Sequence, residues 1–522
     1  MLDQLKTTEA PATFTGNRGL EIEEPLLFDI GRDDATGVDI EEPTPFTSCL
    51  GGLEREAPVA LPGLSEPETL RHYVRLSRKN YSIDGGIYPL GSCTMKHNPR
   101  LNEKMARLAG FADIHPLQPQ STVQGALEVM EQLTHWLLTL TNMEALALSP
   151  KAGAHGESCG LMAIKSAIAA RGESATRKTV LVPQSAHGTN PASAALLGFE
   201  LRAIPTGADG VLHAEAVEPL LGPDVAAIML TNPNTCGLFE RDIAKIAKMV
   251  RDAGGYFYCD GANFNAIAGL ARPGDFGVDA MHINLHKTFS TPHGGGGPGA
   301  GPVVLSARLA PFAPAPLLTR EDGGLRLRED VRGTRGFGRI TAFHGQMGMF
   351  TRALAYMLAH GADGLAQASR DAVLSANYVR AKLRDMMTAP FGDRPCMHEV
   401  LFDDAWLAGT GVTTLAGTGV TTLAGTGVTT LDFAKAMIDE GFHPMTVYFP
   451  LVAHGAMLIE PTESESKASL DLFIATLRRL GERALQGDEA AFRAAPLHAP
   501  RRRLDETLAA RKPVLRRTQG AA

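Results

Sequence analysis

The sequence predicts an α/β chain with a large domain on a mostly parallel sheet and a smaller α/β domain after it. Between about 125 and 310, short apolar runs of strand length alternate with helical stretches, the pattern of βαβ units. From about 345 onward, long helical patterns dominate and give way to mixed segments up to about 490. The composition of the 522 residues, 44% hydrophobic and 20% charged, is globular and excludes disorder or a fibrous architecture for most of the chain.

Taken in order, residues 1–75 read as an extended arm that wraps a partner or the body. They are rich in proline and glycine and show no sustained period, while Leu26, Leu27, Phe28 and Phe46 offer apolar anchors that a purely solvating tail would not need. Residues 1–60 carry 13 Asp/Glu against 4 Lys/Arg, so the acidity of the whole chain (net −7) is concentrated there. The large domain is expected at 76–345. Its helices are ALEVMEQLTHWLLTLTN (126–142), LMAIKSAIAA (161–170) and IAKIAKMVRDAG (243–254); its strands are TVLVP (179–183), VAAIMLT (225–231), YFYCD (256–260), MHINL (281–285) and PVVL (302–305). The smaller domain is expected at 346–495, followed by a basic tail at 496–522. Inside the smaller domain LAGTGVTT occurs three times in tandem, at 407–414, 415–422 and 423–430. A period of eight is too short for a helical solenoid, so the repeat reads as a duplication tolerated in a surface loop, with a small hairpin as the alternative.

Several classes drop out. The acidic balance opposes a nucleic-acid surface over the whole protein. Six cysteines stand scattered without a C-x-x-C pair, which indicates neither a zinc ribbon nor a disulfide framework. No window approaches the ~18 apolar residues of a membrane span, and the first residues, MLDQLKTTEAPATF, lack the pattern of a secretory signal. A cytoplasmic protein is expected.

The chemistry is densest in NLHKTFSTPHGGGGPGAGP (284–302), where a lysine follows a buried-looking strand and precedes a glycine run. A lysine so placed can form a Schiff base with a carbonyl compound, most commonly pyridoxal phosphate. Rival readings fail on context. Gly294, Gly296 and Gly299 match G-x-G-x-x-G but lead into a strand instead of a helix. His282, His286 and His293 have no adjacent acidic partner or H-E-x-x-H spacing, so no metal is expected. The decisive companion of Lys287 is Asp260, a strand-end carboxylate 27 residues earlier. Strand-end Asp followed by strand-end Lys is the order in aminotransferase-like (fold type I) pyridoxal-phosphate enzymes, where the carboxylate keeps the ring nitrogen protonated. Other strand ends add parts. The turn SPKAGAHGESCG (149–160), with Gly153, opens a helix and makes a phosphate seat. His187 is placed to stack on the ring, and Thr231 and Asn234 to reach its hydroxyl.

A set of longer stretches makes the resemblance specific. YPLGSCTMKHNPR (88–100), QPQSTVQGALE (118–128), AGAHGE (152–157), SAHGTNPASA (185–194), TNPNTCGLFE (231–240), DGANFNAI (260–267), GADGL (361–365), FHPMTVYFPL (442–451) and IEPTESES (459–466), with the lysine segment, run from about 80 to 470. They resemble the P-protein family of the glycine cleavage system, glycine dehydrogenase (decarboxylating), and within it the second subunit of the two-subunit form. The resemblance implies pyridoxal phosphate on Lys287, with Asp260 at the ring nitrogen and His187 stacked on the ring. It implies a phosphate turn at Ala154, His155 and Gly156, with His286 as a further phosphate contact. It also implies that Tyr88–Met95, including Ser92, Cys93 and Thr94, lines the channel for substrate and lipoyl group. Cys93 is either redox-sensitive there or a small packed residue. The family usually has a single passage where this chain has three LAGTGVTT copies.

The implied activity is decarboxylation of glycine with transfer of the aminomethyl group to the lipoyl group of the H-protein, releasing carbon dioxide. The implied partners are glycine dehydrogenase subunit 1, two of each subunit in a heterotetramer, the lipoylated H-protein and, indirectly, the T- and L-proteins. The competing readings are another fold-type-I decarboxylase or desulfurase, and a non-catalytic partner subunit. The presence of both Lys287 and Asp260 argues against the last.

Overall fold

In a parallel sheet covered on both faces, each strand is apolar throughout and its alternate side chains feed two separate cores. The runs at 179–183 and 225–231 behave this way in the computed structural model, which describes residues 24–38, 40, 41, 44, 45, 47–57, 61–293, 299–330, 333, 335–407 and 426–515. They belong to a seven-stranded sheet of β1 (Ala145–Ala147), β2 (Thr179–Pro183), β3 (Glu200–Ile204), β4 (Val225–Thr231), β5 (Tyr256–Gly261), β6 (Ala280–Ile283) and β7 (Val303–Leu305). The order is β1-β7-β6-β5-β4-β2-β3. Strands β3, β2, β4, β5 and β6 pair in parallel, and β7 runs antiparallel to both of its neighbours. The sheet is the mostly parallel one that the sequence predicts.

Ile228, Leu230, Phe257, Cys259, Met281 and Ile283 face one core, which includes Leu133 and Leu137 of helix Gln124–Thr141 and Phe350 and Ala353 of helix Met347–Leu383. Ala227, Met229, Tyr256, Tyr258 and Ala280 face the other, under Leu161, Ile164 and Ile168 of helix Gly153–Ala170. Each large apolar side chain fully buried this way contributes about 1.5–3 kcal/mol. Parallel neighbours need crossovers, and helices Thr189–Leu196 and Ile243–Asp252 supply two of them. The last expected strand of the parallel run is shorter than MHINL: β6 ends at Ile283, and Leu285–Thr288 turn as one helical turn after Asn284. Helix Met347–Leu383 is interrupted at Gly361 (φ 63°, ψ −176°), inside the GADGL stretch.

Beyond the sheet come a hairpin, β8 (Leu317–Glu321) with β9 (Gly324–Arg328), and three short strands, β10 (Val400–Phe402), β11 (Thr446–Val447) and β12 (Met457–Ile459). The latter form an antiparallel sheet of order β10-β12-β11. Helices Thr430–Asp439 and Lys467–Leu485 follow β10 and β12 in the chain. One contact matters for the site. Leu90 bridges Ile459, and the Glu460 N–H donates to the Pro89 carbonyl at 3.2 Å, so the segment that follows Tyr88 is tied to the end of β12.

The chain divides into two compact units, Gly86–Ala494, which holds all of the above, and Met1–Gly85 with Ala495–Ala522. In the second unit, helix Glu66–Arg78 starts at Ser65 with a reciprocal capping box to Glu68. Polar contacts hold the arm to this helix: Arg75 and His72 bind Glu24, and Arg32 binds Glu68. Of the expected anchors, Leu26 and Phe28 are exposed at about half of their surface, and Phe46 lies outside the described residues, as do 294–298 of the glycine run, 408–425 of the repeats and the end of the basic tail. All six cysteines are free. No helix among the described residues is long and apolar enough to cross a membrane.

Candidate active site

The pairing of β4, β5 and β6 sets Thr231 beside Asp260 and Asp260 beside His282. Cross-strand partners share a face, so one register places three polar side chains in a row at the carboxyl ends of the strands, where α/β sheets bind ligands. They line a cavity of about 320 Å³ with Ser92, Cys93, Gly153, Ala154, Glu157, His187, Asn284 and Lys287.

Asp260 forms the acidic point of this cavity. Its Oδ2 accepts from the Asn190 amide at 2.9 Å and its Oδ1 from the Ala262 N–H at 2.9 Å. His282 Nε2 lies 3.3 Å from Oδ1, and His282 Nδ1 lies 2.7 Å from the Tyr258 hydroxyl. A tyrosine donating to Nδ1 leaves the proton on Nε2, the nitrogen 3.3 Å from the carboxylate. Burial opposes ionisation of Asp260, but His282, Asn190 and the Ala262 N–H outweigh it, and its pKa lies below the ordinary aspartate value. The neighbouring Glu157 goes the other way. Burial and the charge of Asp260 push it up to about 7, although its oxygens accept from Thr189 Oγ1 (2.7 Å) and Ser193 Oγ (2.8 Å). Below about pH 7 an ionised and a protonated carboxyl thus stand in one cavity.

His187 Nδ1 accepts from the Thr189 N–H at 3.2 Å, and its ring meets Phe449 edge-on at 5.5 Å. Burial lowers its pKa, so the imidazole is neutral. Lys287 lies on the turn after β6, and its Nζ donates to the Ser92 carbonyl at 2.7 Å. Cys93, the next residue, accepts at its carbonyl from His293 Nε2 at 2.8 Å. Burial pushes its thiol up to about 11, so it stays a thiol and not the reactive thiolate.

Helix Gly153–Ala170 points its start into the cavity through Gly153 and Ala154, and Ala152 at its N-cap supplies no side-chain acceptor. Its first N–H groups are therefore open to an anion. Gly156 permits this docking, since a Cβ there would stand 2.6 Å from the Cβ of His282.

The structure therefore brings Lys287, Asp260, His187, Gly153, Ala154, Thr231, Ser92 and Cys93 together around one cavity. Other expected site residues do not line it. Asn234 spends its side chain on its own turn, accepting from the Cys236 and Leu238 N–H groups and donating to the Gly210 carbonyl and Glu240. His155 turns back to the Lys151 N–H, and Tyr88 stacks on His443 at 3.9 Å. His286 packs edge-on against His293 with its pKa lowered to about 3 by burial, and Thr94 is bound to Glu460. Glu157, Asn190 and His282 were not read as site residues. A glutamate in the first turns of the helix that opens the anion seat was the available signal for Glu157, because a charged acid there would repel an anion.

This sheet and strand-end site define a fold-type-I enzyme of the aminotransferase kind, and the aminotransferase class-V family model matches residues 155–297. The chain belongs to the glycine dehydrogenase (decarboxylating) subunit 2 family. The model "Glycine dehydrogenase, C-terminal domain" matches residues 368–497. A relative from Caulobacter vibrioides, named "Probable glycine dehydrogenase (decarboxylating) subunit 2", is 65% identical over 97% of this chain and 94% of its own. One of the same name from Caldanaerobacter subterraneus is 46% identical over 95% and 99%. The crystal structure of glycine decarboxylase (P-protein) of the glycine cleavage system, in inhibitor-bound form, shares the fold at TM-score 0.66 and 21% identity, covering 83% of this chain and 93% of that one.

Proposed function

We propose that this chain is the pyridoxal-phosphate-binding subunit of a glycine dehydrogenase (decarboxylating), which removes carbon dioxide from glycine and passes the aminomethyl group to the lipoyl group of an H-protein. The observation that carries the reading is the placement, in one cavity, of an ionised Asp260, hydrogen-bonded by Asn190 and the Ala262 N–H and flanked by His282, with the amine of Lys287. The names of the close relatives support the substrate.

The residues present fit the cofactor at each end. The uncapped helix start at Gly153 and Ala154 suits its phosphate, and the raised pKa of Glu157 nearby weakens the repulsion that an ordinary glutamate there would exert. The Thr231 hydroxyl and Asn284 Oδ1 are buried without a hydrogen-bond partner among the described residues and suit the polar edge of its ring. Lys287 would hold it covalently. The bound cofactor supplies an electron sink for the carbon that loses carbon dioxide. Asp260 would keep a proton on the ring nitrogen, and His282, held by Tyr258, keeps Asp260 ionised. The neutral ring of His187 and Phe449 would cover a ring face and exclude water. Displaced from the cofactor, the Lys287 amine has a resting acceptor in the Ser92 carbonyl. The desulfurase alternative needs a reactive cysteine, and the raised pKa of Cys93 opposes it.

The reading extends to a large domain at 76–345, a small one at 346–495, a cytoplasmic location and a heterotetramer with glycine dehydrogenase subunit 1. It also includes the H-protein as acceptor and the T- and L-proteins downstream. The test is exchange of labelled carbon dioxide into glycine by the purified chain with subunit 1 and lipoylated H-protein. The wild type should be yellow and active, and borohydride should fix the cofactor on Lys287; Lys287→Ala should lose both activity and fixation. Reduced pyridoxyl label on a different lysine would show that the assignment is wrong.

A further inference from the structure

Three alternate residues of the segment after Tyr88 are each held by a different glutamate, the fully buried Glu399 and Glu460 and the partly buried Glu463. Ser92 donates its N–H (2.7 Å) and hydroxyl (3.1 Å) to Glu399, and Thr94 its N–H (2.8 Å) and hydroxyl (2.6 Å) to Glu460. Lys96 Nζ donates to Glu463 at 2.6 Å and to the Thr288 carbonyl, next to Lys287, at 2.8 Å. Ser92 and Thr94 have φ of 60° and 50°, left-handed values that non-glycine residues hold only when their surroundings impose them. The reward for this strain is visible at once, since the Ser92 carbonyl receives the Lys287 amine.

Glu399, Glu460 and His398 are all fully buried, and their ligand-type atoms lie within 4.8 Å of one another. Two carboxylates that close in a dry interior do not both ionise. The titratable groups around them are His398 and Cys396 on the same segment, Cys93, Cys236, His293 and Lys287, and the Lys96–Glu463 ion pair. Burial raises the three thiols and lowers the two histidines, which leaves all five neutral near pH 7. With Lys96 matched by Glu463, the cation that the two glutamates face among the described residues is Lys287, which the ionised Asp260 also faces from β5, so the pair adds one further negative charge on the side of Ser92.

We propose that Glu399 and Glu460 are positioning residues for Lys287: sharing one proton, which resides on Glu399, they lock Ser92 and Thr94 in place and present one negative charge to the lysine. The burial of Glu399 and the charge of Glu460 both push the Glu399 pKa well up, which supports this placement of the proton. The cofactor-bound part of the proposal rests on the reading of Lys287 given above; the lock itself does not.

Two measurements on the full chain separate the parts. In the cofactor-free protein, hydrogen exchange of the 90–97 peptide should rise at least about tenfold in Glu399→Ala and stay near wild type in Glu399→Gln, as expected when a local opening becomes easier. In the cofactor-loaded protein, the pH midpoint of the cofactor's absorbance change should fall by about one unit in Glu460→Gln, a tenfold loss of proton affinity at Lys287, and stay put in Glu399→Gln. If Glu399→Ala does not fold, the two isosteric Gln variants decide alone. Equal shifts in both Gln variants, no shift in either, or unchanged exchange in a folded Glu399→Ala would overturn the proposal. Failure of borohydride to label Lys287 in the wild type would instead sink the cofactor reading, and the exchange result would still judge the lock.

Discussion

Asp260 and Glu157 stand together in the cavity with pKa values driven apart, Asp260 downward by His282, Asn190 and the Ala262 N–H against its burial, Glu157 up to about 7 by burial and by Asp260 itself. Each has its own consequence. Asp260→Asn keeps the shape and removes the charge that would hold the ring proton. The cofactor should stay bound while glycine–carbon dioxide exchange falls by about 10²–10⁴-fold, the range of a positioned proton-handling group; near-normal exchange in this variant would refute the role. Glu157 carries a stability signature. Its folded pKa is raised above the ordinary 4.5, so between pH 4.5 and about 7 the folded state binds more protons than the unfolded one and stability falls as pH rises through that window. The loss approaches about 3 kcal/mol above pH 7 at ~1.4 kcal/mol per unit. Glu157→Gln should flatten this slope, so thermal melts at pH 5 and pH 8 should lie closer together than in the wild type. Parallel pH dependence in both proteins would show that Glu157 does not carry the proton.

The row of Thr231, Asp260 and His282 depends on how closely β5 and β6 approach, and Gly261 is the residue that permits it. A Cβ there would stand 1.9 Å from the His282 carbonyl oxygen, a backbone atom that cannot swing aside as a side-chain tip could. Gly261→Ala should therefore cost about 1–3 kcal/mol of stability, as overpacking does, and should weaken cofactor retention by moving His282 off Asp260. A variant that melts like the wild type and keeps its cofactor would contradict this. Elements were legible in the sequence where they are buried and long: β2 and β4 begin and end where the apolar runs do. β1, three residues, carries too little pattern to read, and β3 is an edge strand with Glu200, Leu201 and Ala203 exposed, so its alternation is blurred. At the site, Lys287 and Asp260 were legible because their chemistry follows from strand-end placement. Glu399 and Glu460 were not, because each acts through a partner more than 300 positions away in the chain, Ser92 and Thr94, and no local spacing reports such a pairing.

At the scale of the whole molecule, the question is whether the repeat expansion touches function. Leu407, at its start, and Val428 and Thr430, at its end, are buried, and Thr429 caps helix Thr430–Asp439 in a reciprocal capping box with Asp432. Residues 426–430 of the last copy are thus built into the small sheet's surroundings, where Thr430 also donates to the Gly455 carbonyl at 2.9 Å. Because the three copies are identical, excising 415–430 leaves one complete copy directly before Leu431, and the same Val-Thr-Thr residues refill the cap. What changes is the length of connecting chain, whose closure costs only ~0.6 kcal/mol per doubling. The excised protein should therefore melt within a few degrees of the parent, retain the cofactor on Lys287, and give the same rate of glycine–carbon dioxide exchange at saturating subunit 1. Titrating lipoylated H-protein into both proteins is the discriminating measurement, since Val-Thr-Thr repeats have the strand propensity to form a docking edge. An unchanged half-saturating concentration is expected for an expansion that the fold merely tolerates. A several-fold increase, with the cofactor still bound and the melt unchanged, would show that the added copies had become part of the surface that receives the H-protein.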